Sequence, residues 1–446
     1  MRCSARVFAG GAAFVCAAAL WSSPARAGGI SVARFGGEHG YPVTNNATAI
    51  YYNPAGIADS ENTHVFLDLT AAWRHVTYVH TPAASDVPEP AGATGANTDK
   101  ANLFNIIPSP MIGLTTKFGN FALGAGFYTP FGGQATWDQN NRFKNSKSYP
   151  GPVDGAQRWF VLEGQIRSSY YTLAAAYHVP DTGLSIGISG NLVQSMIDLL
   201  RARILTAKND VAAEGRSWLD VSGWQGSFGA GIMYEAVPKQ LWFGASYQSR
   251  PGVSGGMKLS GTLKNDFGGA LSEDKVDAHQ DFPDVVQLGA RWRARKDVEL
   301  RLFGDYTRWS SFKDQCISAQ DKPCAGPTRV LDIPRDWHDS FAVRAGGSVW
   351  VSPAAELLAG AGYYSSAVPN STLDPTLPDW NAVSFTLGGR VAIMKNLHTE
   401  LSYSQFFSPT RDNSGKSTLN PPISPNAGGV YTQDLGVVNL NVDIAF

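Results

Sequence analysis

The chain has 446 residues, of which 43% are hydrophobic and 16% charged, and its formal net charge is −1. A balance this close to neutral provides no basic field of the kind that nucleic acids require, so no nucleic-acid partner is expected. With 47 glycines and 12 tryptophans, the composition suits apolar residues that alternate along strands better than apolar residues that run together.

The first 27 residues have the pattern of a secretory signal peptide. Arg2 and Arg6 form a basic start, residues 7–20 are apolar, and Ala25-Arg26-Ala27 is an A-x-A cleavage site. The apolar stretch is too short, and too rich in Ala and Gly, for a spanning helix. Without this segment, which carries three arginines and no acid, 419 residues remain with 33 basic and 37 acidic side chains, a net charge of −4.

Residues 28–59 come next and contain no strand long enough to span a membrane. They are rich in Gly, Ala, Asn and Pro and read as turns and short helical pieces. A run of about 30 such residues before the first strand either extends into the periplasm or folds into a lumen that the following strands enclose.

Fourteen strands are predicted from period-2 alternation and turn residues. In residues 298–307, for example, Val298, Leu300 and Leu302 oppose Glu299 and Arg301. The last strand places Val438, Leu440, Val442, Ile444 and Phe446 on one face, and Asn439, Asn441, Asp443 and Ala445 on the other. The predicted cores are 62–80, 109–118, 121–130, 159–179, 183–200, 218–235, 241–262, 278–294, 297–311, 337–352, 354–366, 381–394, 397–408 and 431–446.

The connections between these strands alternate strictly between long and short. Most of the strands exceed the 9–11 residues that a tilted strand needs to cross a bilayer, whereas strands of soluble proteins centre on about 5–6 residues. This rhythm predicts an all-β fold, a 14-stranded antiparallel transmembrane β-barrel with brief periplasmic turns and large external loops. Side chains alone do not fill so wide a lumen. We therefore expect a signal peptide over 1–27, an N-terminal hatch or plug over 28–59 and the barrel over 60–446.

Several motifs then resemble one family. Tyr51-Tyr52-Asn53-Pro54-Ala55-Gly56-Ile57-Ala58, which follows Asn45-Asn46-Ala47-Thr48-Ala49, is similar to the N-terminal hatch signature of the FadL/TodX family of outer-membrane transporters. Further matches follow in order along the chain, at 126–132, 307–312, 334–340, 365–370 and 377–379. The chain departs from the family pattern at Asn370, where an acid is more usual, and in its Cys-bearing loop.

The resemblance implies passive transport of a hydrophobic molecule, most simply a long-chain fatty acid. Ligand would dock in the loops, the hatch at Asn53, Pro54, Ala55 and Gly56 would shift, and an opening in the third strand would release ligand sideways into the membrane. Aromatic hydrocarbons are the alternative substrate in the same family. The partners implied are these hydrophobic small molecules, outer-membrane lipid and lipopolysaccharide, for a monomer in the outer membrane of a Gram-negative bacterium. A general porin, an adhesion barrel and an outer-membrane enzyme are the other classes considered.

The third strand carries candidate residues for the substrate path. Gly124 and Gly126 with Pro130 predict a break in strand pairing and hence a gate, although the two glycines alternatively make room for the packed hatch. Phe127 and Phe131 either line an apolar pocket or belong to an aromatic girdle. Arg301, Arg344 and Arg390 either orient a fatty-acid carboxylate or form ion pairs that hold the plug to the wall.

Two cysteines remain after cleavage, Cys316 and Cys324. Eight residues apart in a polar stretch of an exported chain, they predict a disulfide that pins a surface loop, with a metal site as the rival interpretation. His398, Glu400 and Ser402 share a strand, but no elbow motif accompanies them, so no catalytic residues, metal or cofactor are expected.

Overall fold

The computed structural model describes residues 30–205, 208–253, 255–269, 271–419 and 425–446. The predicted signal peptide lies outside the described residues. Within these ranges the chain is almost entirely antiparallel β-structure, in which 19 strands form one continuous sheet.

Fourteen strands form a closed wall. Each pairs antiparallel with the next, and the last returns to the first over a register from His64↔Ala445 to His80↔Gly429, so the strands form a closed ring. The wall strands, in order, are β1 (Thr63–His80), β2 (Ala101–Phe118), β3 (Phe121–Thr136), β4 (Glu163–Val179), β5 (Leu184–Arg203), β6 (Gly215–Val237), β7 (Leu241–Gln248), β10 (Val285–Arg295), β11 (Val298–Thr307), β14 (Ser340–Ser352), β15 (Ala355–Tyr364), β16 (Ala382–Met394), β17 (Leu397–Phe407) and β19 (Gly429–Ala445).

The wall is apolar outside and polar inside. On β11, Leu300 and Leu302 are exposed while Glu299 and Arg301 are buried, and on β19 Val438 and Leu440 are exposed while Asn439 and Asn441 are buried. A water-soluble barrel would show the opposite arrangement, because exposed apolar side chains lower its solubility. The predicted transmembrane barrel of fourteen strands is confirmed.

Connections of two kinds alternate around the barrel, as predicted. Six connections are tight turns, and seven are long loops at the opposite end. Those loops contain the remaining strands, which are β8 (Met257–Asp266), β9 (Ser272–Gln280), β12 (Asp314–Ala319), β13 (Arg329–Pro334) and β18 (Arg411–Asp412). Four of them extend the sheet from the upper part of β6 through a β6–β8–β9–β12–β13 ladder.

Two predicted strand ranges were wrong because each crosses a break. The range 241–262 joins β7 to β8, but the wall strand ends at Gln248, before Pro251, which has no N–H to donate, and Gly252, which has a φ of +71°. The range 278–294 joins β9 to β10 across Pro283. The predicted range 109–118 was too short, since β2 begins at Ala101.

In the described part of the chain, helical structure is confined to short turns. The one α-helical turn there is Ala49–Tyr52. No helix within the described ranges is long and apolar enough to cross a membrane. The 3₁₀ turns are Gly37–His39, Pro54–Asp59, Ala91–Ala93, Asn141–Phe143, Gly151–Asp154, Ala156–Trp159, Trp309–Ser311 and Gly326–Thr328.

Candidate functional site: a stoppered lumen and a break in its wall

Residues 30–59 lie inside the ring of strands. Arg34, which is 8% exposed, donates hydrogen bonds to Thr386 on β16 and Ser404 on β17, and it also contacts the Tyr364 hydroxyl on β15. The N–H of Gly36 donates to Asp68 Oδ2 on β1 at 2.7 Å. One short segment therefore contacts four wall strands, and it lies in the lumen because Asp68, Thr386 and Ser404 are buried side chains of the inner face.

A buried ion cluster attaches this segment to the wall. The His39 nitrogens Nδ1 and Nε2 lie 2.6 Å from Glu400 Oε2 on β17 and 3.1 Å from Glu356 Oε1 on β15. Arg301 on β11 contacts both Glu299 and Glu356 and donates to the Glu38 carbonyl. Burial and Arg301 lower the pKa of His39, but the two glutamates outweigh them and hold that pKa above its ordinary value.

The residues of the predicted hatch are buried, and Asn53 is hydrogen-bonded both to the N-terminal segment and to the wall. The Asn53 side chain donates 2.9 Å hydrogen bonds to the carbonyls of Pro42 and of Ile232 on β6, and it accepts from the N–H of Ala55. Pro54 opens the following 3₁₀ turn, at a position where its missing N–H costs nothing. A Cβ on Gly56 would stand 2.2 Å from the Thr44 carbonyl, so the chain packs very closely here.

The inner wall is glycine-lined where this segment meets it. A Cβ built on Gly124 or Gly126 would come within 3.1–3.2 Å of the Ile50 side chain. On β5, a Cβ on Gly187 would stand 2.4 Å from the backbone of both Pro54 and Ala55. These glycines admit the segment to van der Waals contact, which is the second of the two roles considered for Gly124 and Gly126.

The wall has a gap between β2 and β3. The two strands pair from Phe118↔Phe121 up to Met111↔Tyr128, and beyond that point the only bridge among the described residues is Leu103↔Trp137. The β3–β4 register also shifts, between Tyr128 and Phe131. The chain sequence explains the gap, because Pro108, Pro110 and Pro130 have no N–H to donate to a ladder.

Residues 30–32 occupy the free edge of β3 in this gap. The Val32 N–H donates to the Pro130 carbonyl at 2.9 Å, and the Gly132 N–H donates to the Ile30 carbonyl at 3.0 Å, so that Ser31 pairs with Phe131. Across the gap, the Ser109 hydroxyl donates to the Thr129 carbonyl at 2.9 Å. Side chains and the N-terminal segment thus replace the missing backbone ladder.

A cavity of about 230 Å³ lies behind the gap. Ile107 and Ser109 of β2, residues 132–135 of β3 and residues 30–34 line it on one side, and Arg74 of β1 and Arg344 of β14 lie on the other. Arg344 is 8% exposed, and its Nε and Nη1 have no hydrogen-bond partner among the described residues, nor does Nε of Arg74. The cavity therefore combines apolar side chains with cationic donors that have no hydrogen-bond partner in the described part of the chain, and the carboxylates of Asp198, Asp305 and Asp379 also line it.

The residues predicted to line the substrate path lie in different parts of the barrel. Arg344 lines the cavity, Arg301 is enclosed in the ion cluster, and Arg390 lies near the short-turn end, 3.9 Å from Asp443. Phe131 is buried against Phe282 and Trp309 in the loops. Phe127 instead points outward beside Tyr171, with a centroid distance of 5.2 Å.

Cys316 and Cys324 form a disulfide bond, and their Cα atoms lie 6.2 Å apart. Cys316 belongs to β12 and Cys324 to the loop that joins β12 to β13, so the bond ties that loop to β12. The loops are also joined by Arg158, fully buried, which pairs with Glu214 at 2.8 Å and donates to Asn97.

Three features were missed by the sequence analysis. His39 lies in the glycine-rich stretch that was interpreted only as plug, and its role depends on strands more than 300 residues away. Pro108 and Pro110 were visible signals of a pairing break, but the predicted strand began only at residue 109 and the prolines were not used. Arg74 lies on the first predicted strand, and nothing in the local pattern separates it from other inward polar residues.

A closed ring of strands with an apolar outer face, with residues 30–59 against its inner face, is the architecture of a transmembrane barrel. A model of the family described as outer membrane protein transport protein (OMPP1/FadL/TodX) matches residues 8–422, and the chain belongs to this family. It is therefore an outer-membrane protein of a family that transports hydrophobic compounds, and members of the family are transporters, not enzymes.

Known relatives are distant in sequence. A candidate outer membrane protein of Neisseria meningitidis serogroup B is 23% identical over 400 residues, which are 80% of each chain. Among solved structures, a Pseudomonas aeruginosa FadL homologue has a TM-score of 0.77 at 18% identity, covering 94% of this chain and all of that one. The Ralstonia pickettii toluene transporter TbuX has a TM-score of 0.66 at 16% identity, covering 94% and 98%. At these identities the likeness shows the fold.

Proposed function

We propose that the protein carries long-chain fatty acids passively across the outer membrane. The ligand enters from the long loops, occupies the cavity behind the β2–β3 gap, and leaves sideways into the bilayer when residues 30–59 shift. No energy source is required, because movement follows the gradient that later capture of the ligand maintains.

The gap between β2 and β3 is the observation that supports this release route. A closed hydrogen-bonded ladder would have to break several backbone bonds to let a ligand through, whereas here the ladder between β2 and β3 is already absent from Met111 to Leu103. Two backbone bonds from residues 30–32 and a few side-chain bonds cover the opening. Withdrawal of the N-terminal segment is thus the smallest change that connects the cavity to the membrane.

The cavity supports an acid as the ligand. An Arg buried with unpaired N–H groups is costly, and a carboxylate would satisfy those groups with charge-assisted hydrogen bonds. Among the described residues, Arg344 presents two such donors and Arg74 one. A neutral aromatic hydrocarbon, the second candidate, fits the apolar lining but leaves these donors unpaired. The hydrocarbon as substrate is favoured by the likeness to structures described as toluene transporters.

A reversible lock on the gap tests the release route. Ser31 and Phe131 are direct antiparallel partners without mutual hydrogen bonds, so S31C with F131C places two thiols at a spacing suited to a disulfide. In proteoliposomes, oxidation of the double variant should abolish oleate uptake, and reduction should restore it. The F131C variant, oxidised in the same way, controls for the loss of Phe131, and the S31C variant controls for the loss of Ser31. Full uptake by the oxidised double variant would disprove release through this gap.

The choice of substrate is tested with Arg344→Met. For an acid, the affinity for oleate should fall about tenfold or more while toluene binding is unchanged, because only the carboxylate interacts with the guanidinium group. If the Arg344→Met variant and the parent protein bind oleate with equal affinity, the aromatic hydrocarbon is favoured as the substrate.

A further inference from the structure

An apolar groove on the outer face of the barrel begins where the wall gap ends. The groove has a volume of about 500 Å³. Most of its lining consists of large side chains that face the membrane, and Leu173 is 72% exposed. The lining residues used below are Ile112 and Leu114 of β2, Ala125 and Phe127 of β3, and Tyr171 and Leu173 of β4.

The strand register explains the shape of the groove. Ala125 pairs with Leu114 on one side and with Leu173 on the other, so a methyl group lies between two leucines. One row nearer the gap, Phe127 lies between Ile112 and Tyr171. Small residues flanked by large ones on a sheet face leave a furrow, and here Ala125 is its floor.

The groove is continuous with the gap. Its first row, Ile112↔Phe127, is adjacent to Met111↔Tyr128, the last pair before the ladder stops. On the other side of the wall the lumen cavity reaches Ser109, three residues further along β2. At about 3.3 Å per residue, the cavity and the groove lie roughly 10 Å apart along the strand, less than the length of a long acyl chain.

We propose that this groove is an exit subsite for the acyl tail of the substrate. The tail emerges through the gap and lies over Ala125, between Leu114 and Leu173, before the carboxylate leaves the lumen. The tail thereby moves from the cavity onto an apolar outer face, past the Ser109 hydroxyl and the Thr129 carbonyl that lie across the gap. This inference rests on the proposed function and adds to it a binding surface outside the barrel.

Filling the furrow tests the subsite. A125F should lower the initial rate of oleate uptake into proteoliposomes about fivefold, because the tail loses its apolar contacts as it emerges. Binding of oleate to the purified protein in detergent should not change. The matched control is A361F, since Ala361 is an outward-facing alanine on β15 that pairs with Ala345 and Phe385, on another part of the wall. Equal rates for A125F and A361F would overturn the proposal.

A second measurement distinguishes the substrate from membrane lipid. Oleate with a terminal diazirine should, on irradiation, label Leu114, Ala125 and Leu173 in preference to the region of Ala361. The same diazirine in a phospholipid tail should label both regions alike. Preferential labelling of the groove by the phospholipid, or even labelling by the free acid, would identify the groove as an ordinary lipid contact and reject the subsite.

The two proposals fail separately. If the S31C–F131C lock blocks uptake but A125F has no effect, the release route stands and the exit subsite is rejected. If the lock has no effect, release through the gap is rejected, and labelling of the groove by free oleate can then no longer be assigned to exit.

Discussion

His39 joins the lumenal segment to two strands that lie more than 300 residues away in the sequence. Its ring bridges Glu356 and Glu400 on two different strands, with Arg301, Glu299 and Glu38 nearby. A protonated imidazole satisfies both carboxylates, whereas a neutral ring satisfies at most one with its single N–H. The protonation state of this one side chain therefore affects how firmly the segment is held.

The direction of the pH dependence follows from the raised pKa of His39. The stabilisation is fully present below the ordinary pKa of 6.5 and is lost as pH rises through the higher value of the folded protein. His39→Gln should lower the free energy of unfolding by about 2 kcal/mol at pH 6. The difference should shrink towards pH 9, as measured by urea unfolding in detergent. A difference that is constant across this range would show that His39 does not titrate.

At the scale of the element, β5 shows how one strand serves two surfaces. Gly187 faces inward against Pro54 and Ala55, while Gly190, three residues later, faces outward, where a Cβ would meet no described atom within 4 Å. Both are glycines in the same strand, so local propensity does not distinguish them. Their different surroundings come from the segment packed inside.

Alanine should have different effects on stability at these two glycines. Gly187→Ala should destabilise the protein by about 1–3 kcal/mol, because the new methyl group displaces the backbone of the segment. Gly190→Ala should stay within about 0.5 kcal/mol of the parent. Chemical unfolding of both variants, with circular dichroism to verify the barrel, measures the difference. Equal effects would mean that the segment does not press on β5.

At the scale of the whole molecule, the barrel and the segment inside it have separate roles. The seam between β1 and β19 closes without help from residues 30–59, of which residues 30–32 cover the β2–β3 gap. Residues 30–59 contact the inner face of the wall on both sides of the barrel, at β1, β5, β6 and β17. Their removal should therefore leave the barrel intact and open its lumen.

Deletion of residues 28–59 should raise single-channel ion conductance in planar bilayers well above that of the intact protein. A lumen of fourteen strands is too wide for wall side chains to fill, so water and ions would enter it. The Gly187→Ala variant is the control, because it keeps the segment but loosens its contact. A deletion variant that folds and conducts no better than the parent would show that the loops alone close the barrel.

The sequence by itself determined the class of fold. Alternation along fourteen strands, tight turns at one end and long loops at the other are local features, and an apolar outer face is visible in them directly, as in Val438 and Leu440 against Asn439 and Asn441. The ends of the strands were harder to predict from the sequence, because Pro251 and Pro283 interrupt runs in which the alternation of apolar and polar residues continues on both sides. The division at residues 27 and 59 stays a prediction.

Only the tertiary structure decided which residues meet. The ion cluster around His39 joins positions 38–39, 299–301, 356 and 400, and the gap joins residues 30–32 to residues 130–132. Such contacts depend on strand register and on the path of the segment through the lumen, and neither leaves a periodic signal in the chain. Whether an inward arginine is paired, as Arg301 is, or has donors unpaired among the described residues, as Arg344 has, follows from neighbours far away in sequence.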